Sequence, residues 1–327
     1  MDQLLLPLFK DCMKYVCLAS HLVLETKERK TFVKKDLSVV TIYDIAIQII
    51  FTNLLTRYDI DLVSEEENDA LYGEVALGVA GGSRGAEGSR NVQEIAAYFA
   101  RHSIPVATDR HPQSAISTTE RVTVVLDPID GTKGFVGDRV FSIVVSAMHQ
   151  NRALFSIVAS PKEKRVFYRV GGMLGLVEAL PSFRSRPKVF CLGDSPSESL
   201  GCFNESLLLE IGVSAEGSHS SGLLTQLLSE LSKVHGTRVH AIDGQCKYAK
   251  VAAGELDLFV RIPRARFEEK VWDHCAGIDL VHGSSGIVSD LEGNLLSPSV
   301  PTAFGVVAAL SGTLHQLCLS ILQRLAS

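Results

Sequence analysis

The sequence predicts a mixed fold in two units, an α+β domain over residues 1–172 and an α/β domain over residues 173–327. Three observations carry that expectation. Apolar, β-branched segments at 122–127, 140–148, 153–159 and 165–170 follow one another with only a few polar residues between them, as in an antiparallel meander. From Lys188 onward, strand-like and helix-like segments alternate, which is the texture of an α/β unit. At 327 residues, 46% of them hydrophobic, the chain is long enough to bury two cores.

Residues 3–28 place Leu5, Leu8, Phe9, Cys12, Val16, Ala19 and Val23 at helical spacing and predict an amphipathic opening helix. The basic cluster Lys27, Arg29, Lys30, Lys34 and Lys35 reads as a solvated turn. A second helix follows with Ile45, Ile49, Ile50 and Leu54, and Thr41 and Asp44 before it have the spacing of a capping box. The run from Ile60 to Val63 is a short strand that ends in Ser64-Glu65-Glu66-Glu67. Residues 78–90 read as a flexible loop or lid and 91–102 as a helix. The strand at 122–127 stops at Asp127, and Gly171-Gly172 closes the meander and the first unit. In the second unit the expected elements are a strand at 189–192, helices at 203–211 and 221–232, a strand at 238–242, a helix at 245–253 and a strand at 256–262. Trp272-Asp273 opens a further helix, strands follow within 286–289 and 304–310, and a helix at 311–325 ends the chain.

Composition excludes several classes of function. A net charge of -5 supplies no basic field for a nucleic acid polymer. No run of about 18 apolar residues is free of charge, so no membrane span is expected, and Asp2, Lys10, Asp11 and Lys14 interrupt the apolar start as they would not in a signal peptide. Seven cysteines without a C-x-x-C spacing argue against a disulfide framework or a zinc ribbon. A cytoplasmic location is the expectation, with import into an organelle left open.

The chemistry concentrates at Asp127-Pro128-Ile129-Asp130-Gly131-Thr132. Asp127, Asp130 and the Ile129 carbonyl present hard oxygens to a small divalent cation such as Mg²⁺. Gly131 lets an oxyanion approach the backbone, and Thr132 adds a hydroxyl. The alternative is a capping turn in which the two aspartates only tie down amides. Glu65, in a run of three glutamates, has a surface reading as its alternative, and so do His219, Lys247 and Arg261. A covalent aspartyl-phosphate mechanism on Asp127 fits poorly, since it wants aspartates two apart and these stand three apart.

Three blocks, Ser64-Glu65-Glu66, Asp127 to Thr132 and Trp272-Asp273-His274-Cys275-Ala276-Gly277, resemble in order and spacing the lithium-sensitive, magnesium-dependent phosphomonoesterases of the inositol monophosphatase and fructose-bisphosphatase superfamily. Four further stretches are similar to its 3′(2′),5′-bisphosphate nucleotidase branch: residues 41–48, Gly131 to Phe135, Gly217-Ser218-His219-Ser220-Ser221, and Asp243 to Tyr248 followed by Arg261. The resemblance implies a layered αβαβα sandwich with the site between the domains, two or three Mg²⁺ ions per site, and hydrolysis of 3′-phosphoadenosine 5′-phosphate to AMP and phosphate. It implies that Glu65, Asp127 and the Ile129 carbonyl hold one Mg²⁺ and Asp127, Asp130 and Asp273 a second. It also implies that Asp44 and Thr132 orient and deprotonate the attacking water. Gly131 and Thr132 would meet the scissile phosphate, while His219, Ser220, Lys247 and Arg261 line the nucleotide pocket. The implied partner is thus a small nucleotide bisphosphate, taken up by a monomer or weak dimer. Gly244 stands where the branch typically has Ser, which implies one hydroxyl contact fewer. That departure, together with His282-Gly283-Ser284-Ser285-Gly286 where the family usually continues into a His-Glu-Ala-Gly-Gly stretch, keeps two other readings in play, an inositol (poly)phosphate 1-phosphatase and a catalytically weak nucleotide- or metal-binding sensor.

Overall fold

The computed structural model describes residues 2–25, 29, 31–33, 39–66, 73, 75–76, 90–104, 121–178, 189–191, 208–216, 222–264, 270–299 and 304–326. The expected lid at 78–90 lies outside the described residues except for Arg90, which starts a helix.

Helix α1 (Asp2–Glu25) is followed by a small antiparallel pair, β1 (Thr31–Val33) and β2 (Val39–Thr41), and then by α2 (Ile42–Thr56). The pair was not expected from the sequence, where the basic residues flanking β1 read only as a turn. Next come β3 (Asp61–Ser64), α3 (Arg90–His102), β4 (Thr123–Asp130), the short α4 (Thr132–Val136), β5 (Ser142–His149), β6 (Arg152–Ser160), β7 (Arg165–Val170), β8 (Met173–Glu178) and β9 (Val189–Cys191). The seven strands β3 to β9 lie in one sheet in chain order, with β3 and β4 parallel and every later pair antiparallel. The meander therefore continues past Gly171-Gly172, where the glycines form a hairpin turn. A glycine pair between two β-runs marks a turn as readily as it marks an end.

The second sheet is built from β10 (Leu209–Ser214), β11 (Thr237–Ile242), β12 (Leu258–Arg261), β13 (Ile287–Ser289) and β14 (Val306–Ala309), in the order β11-β10-β12-β14-β13. Its helices are α5 (Gly222–Val234), α6 (Cys246–Ala252), α7 (Cys275–Gly283) and α8 (Gly312–Ala326), with a single 3₁₀ turn, Val271–Asp273, ahead of α7. The helix expected at 203–211 is corrected at its end: Leu209–Ser214 is a strand, parallel to both β11 and β12. Leu209, Ile211 and Val213 alternate with Glu210, Gly212 and Ser214 as in a strand, and the consecutive Leu207-Leu208-Leu209 ahead of them masks that alternation.

Alternation along the strands sorts the side chains into layers. In β4, Val124 and Leu126 face α1 and α2 and pack with Leu8, Val16, Ile45 and Ile49, while Val125 faces the opposite way. Val125, Val144, Val158 and Phe167 pack against Tyr248, Cys275, Ile278 and Val281 of α6 and α7, which also cover Phe259 and Val306 of the second sheet. On the far face, Ile211, Leu258, Val260 and Val307 pack under Leu224, Leu231, Leu314 and Leu322 of α5 and α8. The five layers are α1/α2, the seven-stranded sheet, α6/α7, the five-stranded sheet and α5/α8, which is the αβαβα sandwich. An ion pair of Arg169 on β7 with Asp279 on α7 (2.5 Å) ties the middle layer to the first sheet. No helix among the described residues is long and apolar enough to cross a membrane.

Candidate active site

The turn that organises the site is a distorted strand end. The sequence suggests that the strand stops at Asp127, but β4 runs on to Asp130 with a shift in register between Asp127 and Asp130. In an unbroken strand two residues three apart point to opposite faces. The irregularity reverses that parity: Ile129 enters the α1/α2 core, and Asp127 and Asp130 both line one cavity of about 300 Å³.

Glu65, at the end of β3, lines the same cavity, brought beside β4 by the parallel pairing of Ser64 with Leu126. Asp273 reaches it from the 3₁₀ turn, where the Lys270 N–H donates to its carboxylate (2.9 Å). Among the described residues no three acidic, histidine or cysteine side chains close into a ready-made cage; the acids surround the cavity instead. Their mutual cost is nonetheless large. Asp127 is 2% exposed, and its Oδ1 accepts no hydrogen bond. Burial, then the charges of Glu65, Asp130, Asp273 and Asp44, push its carboxyl well above the usual range. Asp130 is pushed up to about 6 by burial, against the pull of Lys247 and of hydrogen bonds from Ser142 and the Gln245 N–H. Asp273 is raised as well, chiefly by burial. Oxygen-rich, buried and short of counter-charge, this donor set suits a hard divalent cation.

Asp44 is fully buried behind the cavity. Its Oδ2 accepts from the Thr41 N–H (2.7 Å) and the Thr41 hydroxyl (2.5 Å), and Thr41 Oγ1 accepts from the Tyr43 N–H, closing the expected capping box of α2. Thr132 lines the cavity, and its hydroxyl donates to the Ile129 carbonyl (3.0 Å). The two residues expected to share a water are thus each held by bonds of their own.

The opposite wall comes from the stretch Asp243 to Tyr248 and from Arg261 on β12. Lys247, expected as a fixed cation for a phosphate, is 6% exposed and gives two of its three donors to backbone, the Ile242 carbonyl (3.0 Å) and the Gly244 carbonyl (2.6 Å). It clips its own turn shut while its charge faces Asp130. Arg261 lines the cavity from the second sheet, and its charge is felt by both Asp273 and Lys247. His219 and Ser220 lie outside the described residues.

The two walls meet backbone to backbone. Gly131 has φ +86°, and a Cβ there would stand 3.0 Å from Asp243 Cβ and from the Gly244 nitrogen. Gly244 has φ +67°, and a Cβ there would stand 2.2 Å from Ser142 Oγ and 2.7 Å from the Asp130 carbonyl oxygen. The glycine in place of serine therefore follows from the closeness of this seam. Gly244→Ala is expected to cost about 1–2 kcal/mol from the left-handed backbone alone, plus the clash, and to lower the melting temperature; an unchanged melting temperature would show that the seam opens freely.

Sequence reasoning assigned no role to several residues that build the site. Arg139 pairs with the buried Asp243 (2.8 Å), Lys133 reaches across to Glu216 (2.8 Å), and the Tyr248 hydroxyl meets His274 Nδ1 (2.7 Å). Gln245 bonds to both walls. Asp243, Gln245 and Tyr248 fall inside one of the stretches singled out above, which was the available signal; Ser142 and Glu216 carried none.

The sequence matches the inositol monophosphatase family over residues 20–327. A 3′(2′),5′-bisphosphate nucleotidase of Oryza sativa is 27% identical over 314 residues, covering 89% of this chain and 84% of its own. A protein of the same name from Schizosaccharomyces pombe is 30% identical over 217 residues, 59% of this chain and 57% of its own. Among solved structures, an IMPase of Thermotoga maritima superposes with a TM-score of 0.62 at 17% identity, covering 100% of this chain and 98% of its own. The match over most of the length, together with the αβαβα layering and the acidic blocks in their order, makes this chain a member of the inositol monophosphatase family.

Proposed function

We propose that the chain is a phosphomonoesterase that removes the 3′-phosphate of adenosine 3′,5′-bisphosphate, giving AMP and phosphate. The observation that carries this reading is that the four acids Glu65, Asp127, Asp130 and Asp273 line the same cavity as the cations Lys247 and Arg261. The names of the relatives support the same substrate class.

In this reading Glu65, Asp127, the Ile129 carbonyl, Asp130 and Asp273 hold Mg²⁺. When bound, the metal supplies neutralisation of the phosphate oxygens and a water of lowered pKa. The remaining work falls to side chains. Thr132, whose hydroxyl proton goes to the Ile129 carbonyl, turns its lone pairs to the cavity and orients the attacking water. Asp44, pinned by Thr41, adds negative charge behind Asp127 and so raises the demand for a cation. Gly131 admits the phosphate to the backbone, and Arg261 takes the 5′-phosphate. Lys247 holds its turn and balances Asp130, while His219 and Ser220 are assigned to the nucleotide on the resemblance. Inhibition by Li⁺ belongs to the same proposal.

The test is phosphate release in Mg²⁺ from adenosine 3′,5′-bisphosphate, with inositol 1-phosphate and inositol 1,4-bisphosphate alongside. Preference for the nucleotide is the expected result. Turnover of inositol phosphates alone would reassign the substrate and leave the acidic wall in place; silence on all three favours a sensor. Within the active enzyme, Arg261→Ala is expected to raise KM for the bisphosphate about tenfold or more, and to change little for 3′-AMP. Equal changes on both substrates would remove Arg261 from the 5′-phosphate.

A further inference from the structure

Gln245 stands between the two walls and bonds to each. Its backbone N–H donates to the Asp130 carboxylate and to Ser142 Oγ (2.8 Å) at the end of β4 and the start of β5. Its side-chain Nε2 donates to the Trp272 carbonyl (2.7 Å), and its Oε1 accepts from the Gly277 N–H (2.8 Å) in α7. The side chain is 1% exposed and both of its polar atoms are satisfied. We infer that Gln245 is a positioning residue that sets the separation of Asp130 and Asp273; the inference rests on the metal reading of the site proposed above.

The physical case starts from repulsion. Asp130, at the end of β4, and Asp273, in the 3₁₀ turn ahead of α7, come from different layers, carry like charge and line one cavity, so nothing in their own chemistry draws them together. Each is anchored to residue 245 within a bond or two: Asp130 through the backbone N–H, Asp273 through the preceding carbonyl of Trp272. The amide is the one uncharged side-chain group of this length that presents a donor to a carbonyl and an acceptor to an N–H at once. A glutamate offers two acceptors and would face the Trp272 carbonyl with the wrong polarity. A methionine of similar size would leave a buried carbonyl and a buried N–H without partners. Because Asp273 follows Trp272 directly, rotation of that carbonyl carries the Asp273 carboxylate with it. Residues that orient metal ligands from behind typically cost about 10–100-fold in metal affinity when replaced.

The experiment is a calorimetric Mg²⁺ titration without substrate on the full-length protein, Gln245→Glu, Gln245→Met and a control, Ser156→Ala. Ser156 is buried in the seven-stranded sheet, bonded to Ser146 Oγ (2.6 Å) and to the Asp279 carboxylate of α7, and does not line the cavity, so its loss loosens the packing of α7 on the sheet without removing a bond of Gln245. Both Gln245 variants are expected to bind Mg²⁺ about 10–100-fold more weakly. At saturating Mg²⁺ they should lose kcat with KM unchanged. Ser156→Ala should melt earlier and keep wild-type Mg²⁺ affinity. Wild-type affinity in Gln245→Glu overturns the inference and spares the metal reading, as does an equal loss in Ser156→Ala, which would mark general loosening. A wild-type protein that binds no Mg²⁺ overturns both. Should the methionine variant fail to fold, the glutamate variant, nearly identical in shape, carries the test.

Discussion

Asp127→Asn is expected to abolish turnover while making the metal-free protein harder to melt. The loss follows from the number of demands that meet at this carboxylate: it is buried, its Oδ1 accepts no hydrogen bond, and Glu65, Asp130, Asp273 and Asp44 all act on it. Removing its charge removes several kcal/mol of transition-state stabilisation, or about three powers of ten in rate. The gain in stability has the same origin. A carboxylate whose pKa is raised on folding holds a proton that the unfolded chain gives up, so it contributes stability below the unfolded value and loses it as pH rises through the folded one. For Asp130 that window runs from 3.8 to about 6, and Asp127, raised by burial and by the neighbouring acids, acts in the same sense. Asp138, held down by Lys162 and Arg29, and Glu230, held down by Lys233, act in the opposite sense, but only below the ordinary carboxylate range. The metal-free wild type should therefore lose melting temperature between about pH 4 and 6, Mg²⁺ should cancel the slope, and Asp127→Asn should lessen it without metal. Thermal melts in chelator and in Mg²⁺ decide the matter; a flat profile in chelator together with an unstabilised variant would falsify the account.

Lys247→Ala is expected to damage folding and both substrates alike. A surface lysine that only greets a phosphate would give a KM effect confined to substrates carrying that phosphate. Lys247 is buried, however, donates to the carbonyls of Ile242 and Gly244, and lies with its ammonium 5.5 Å from the Phe259 ring centroid. Its loss takes a donor from the Gly244 carbonyl and leaves the Ile242 carbonyl with the long bond from the Ala215 N–H (3.4 Å), about 1–3 kcal/mol, and frees the turn that carries Asp243, Gly244 and Gln245. Burial lowers the Lys247 pKa, and the Asp130 carboxylate opposes that shift, so the pair is mutually supporting. A lower melting temperature with reduced kcat on 3′-AMP as well as on the bisphosphate is the expected outcome. A selective KM effect on the bisphosphate at unchanged stability would return Lys247 to the role of phosphate ligand.

Much of this was legible in the sequence because acids at strand ends leave local marks. Asp127 and Asp130 were recognisable beside a turn signal, Glu65 and Asp273 through the family resemblance, and all four line one cavity. The capping box at Thr41 and Asp44 was equally local and is present. What escaped depends on distant parts of the chain. The register shift that turns Asp127 and Asp130 to the same side is a property of β4 paired with β5, not of the hexapeptide. The strand at Leu209–Ser214 is settled by its neighbours β11 and β12, since an alternation of only six residues behind three consecutive leucines is too short to fix the element by itself. Gln245 and Lys247 look like helix residues until the facing carbonyls are known.

The middle layer has a consequence for synthesis. Val125, Val144, Val158 and Phe167 of the seven-stranded sheet share their core with side chains that begin only at Ile242 and run to Ala308 of β14, with Cys275, Ile278 and Val281 among them. A growing chain lengthens at about 5–20 residues per second. For several seconds after its strands have left the ribosome, the first sheet thus carries a greasy face whose cover has not been made. The nascent protein is expected to need shelter over that interval, and a ribosome stalled near residue 200 should hold a chain that chaperones bind avidly and proteases cut readily.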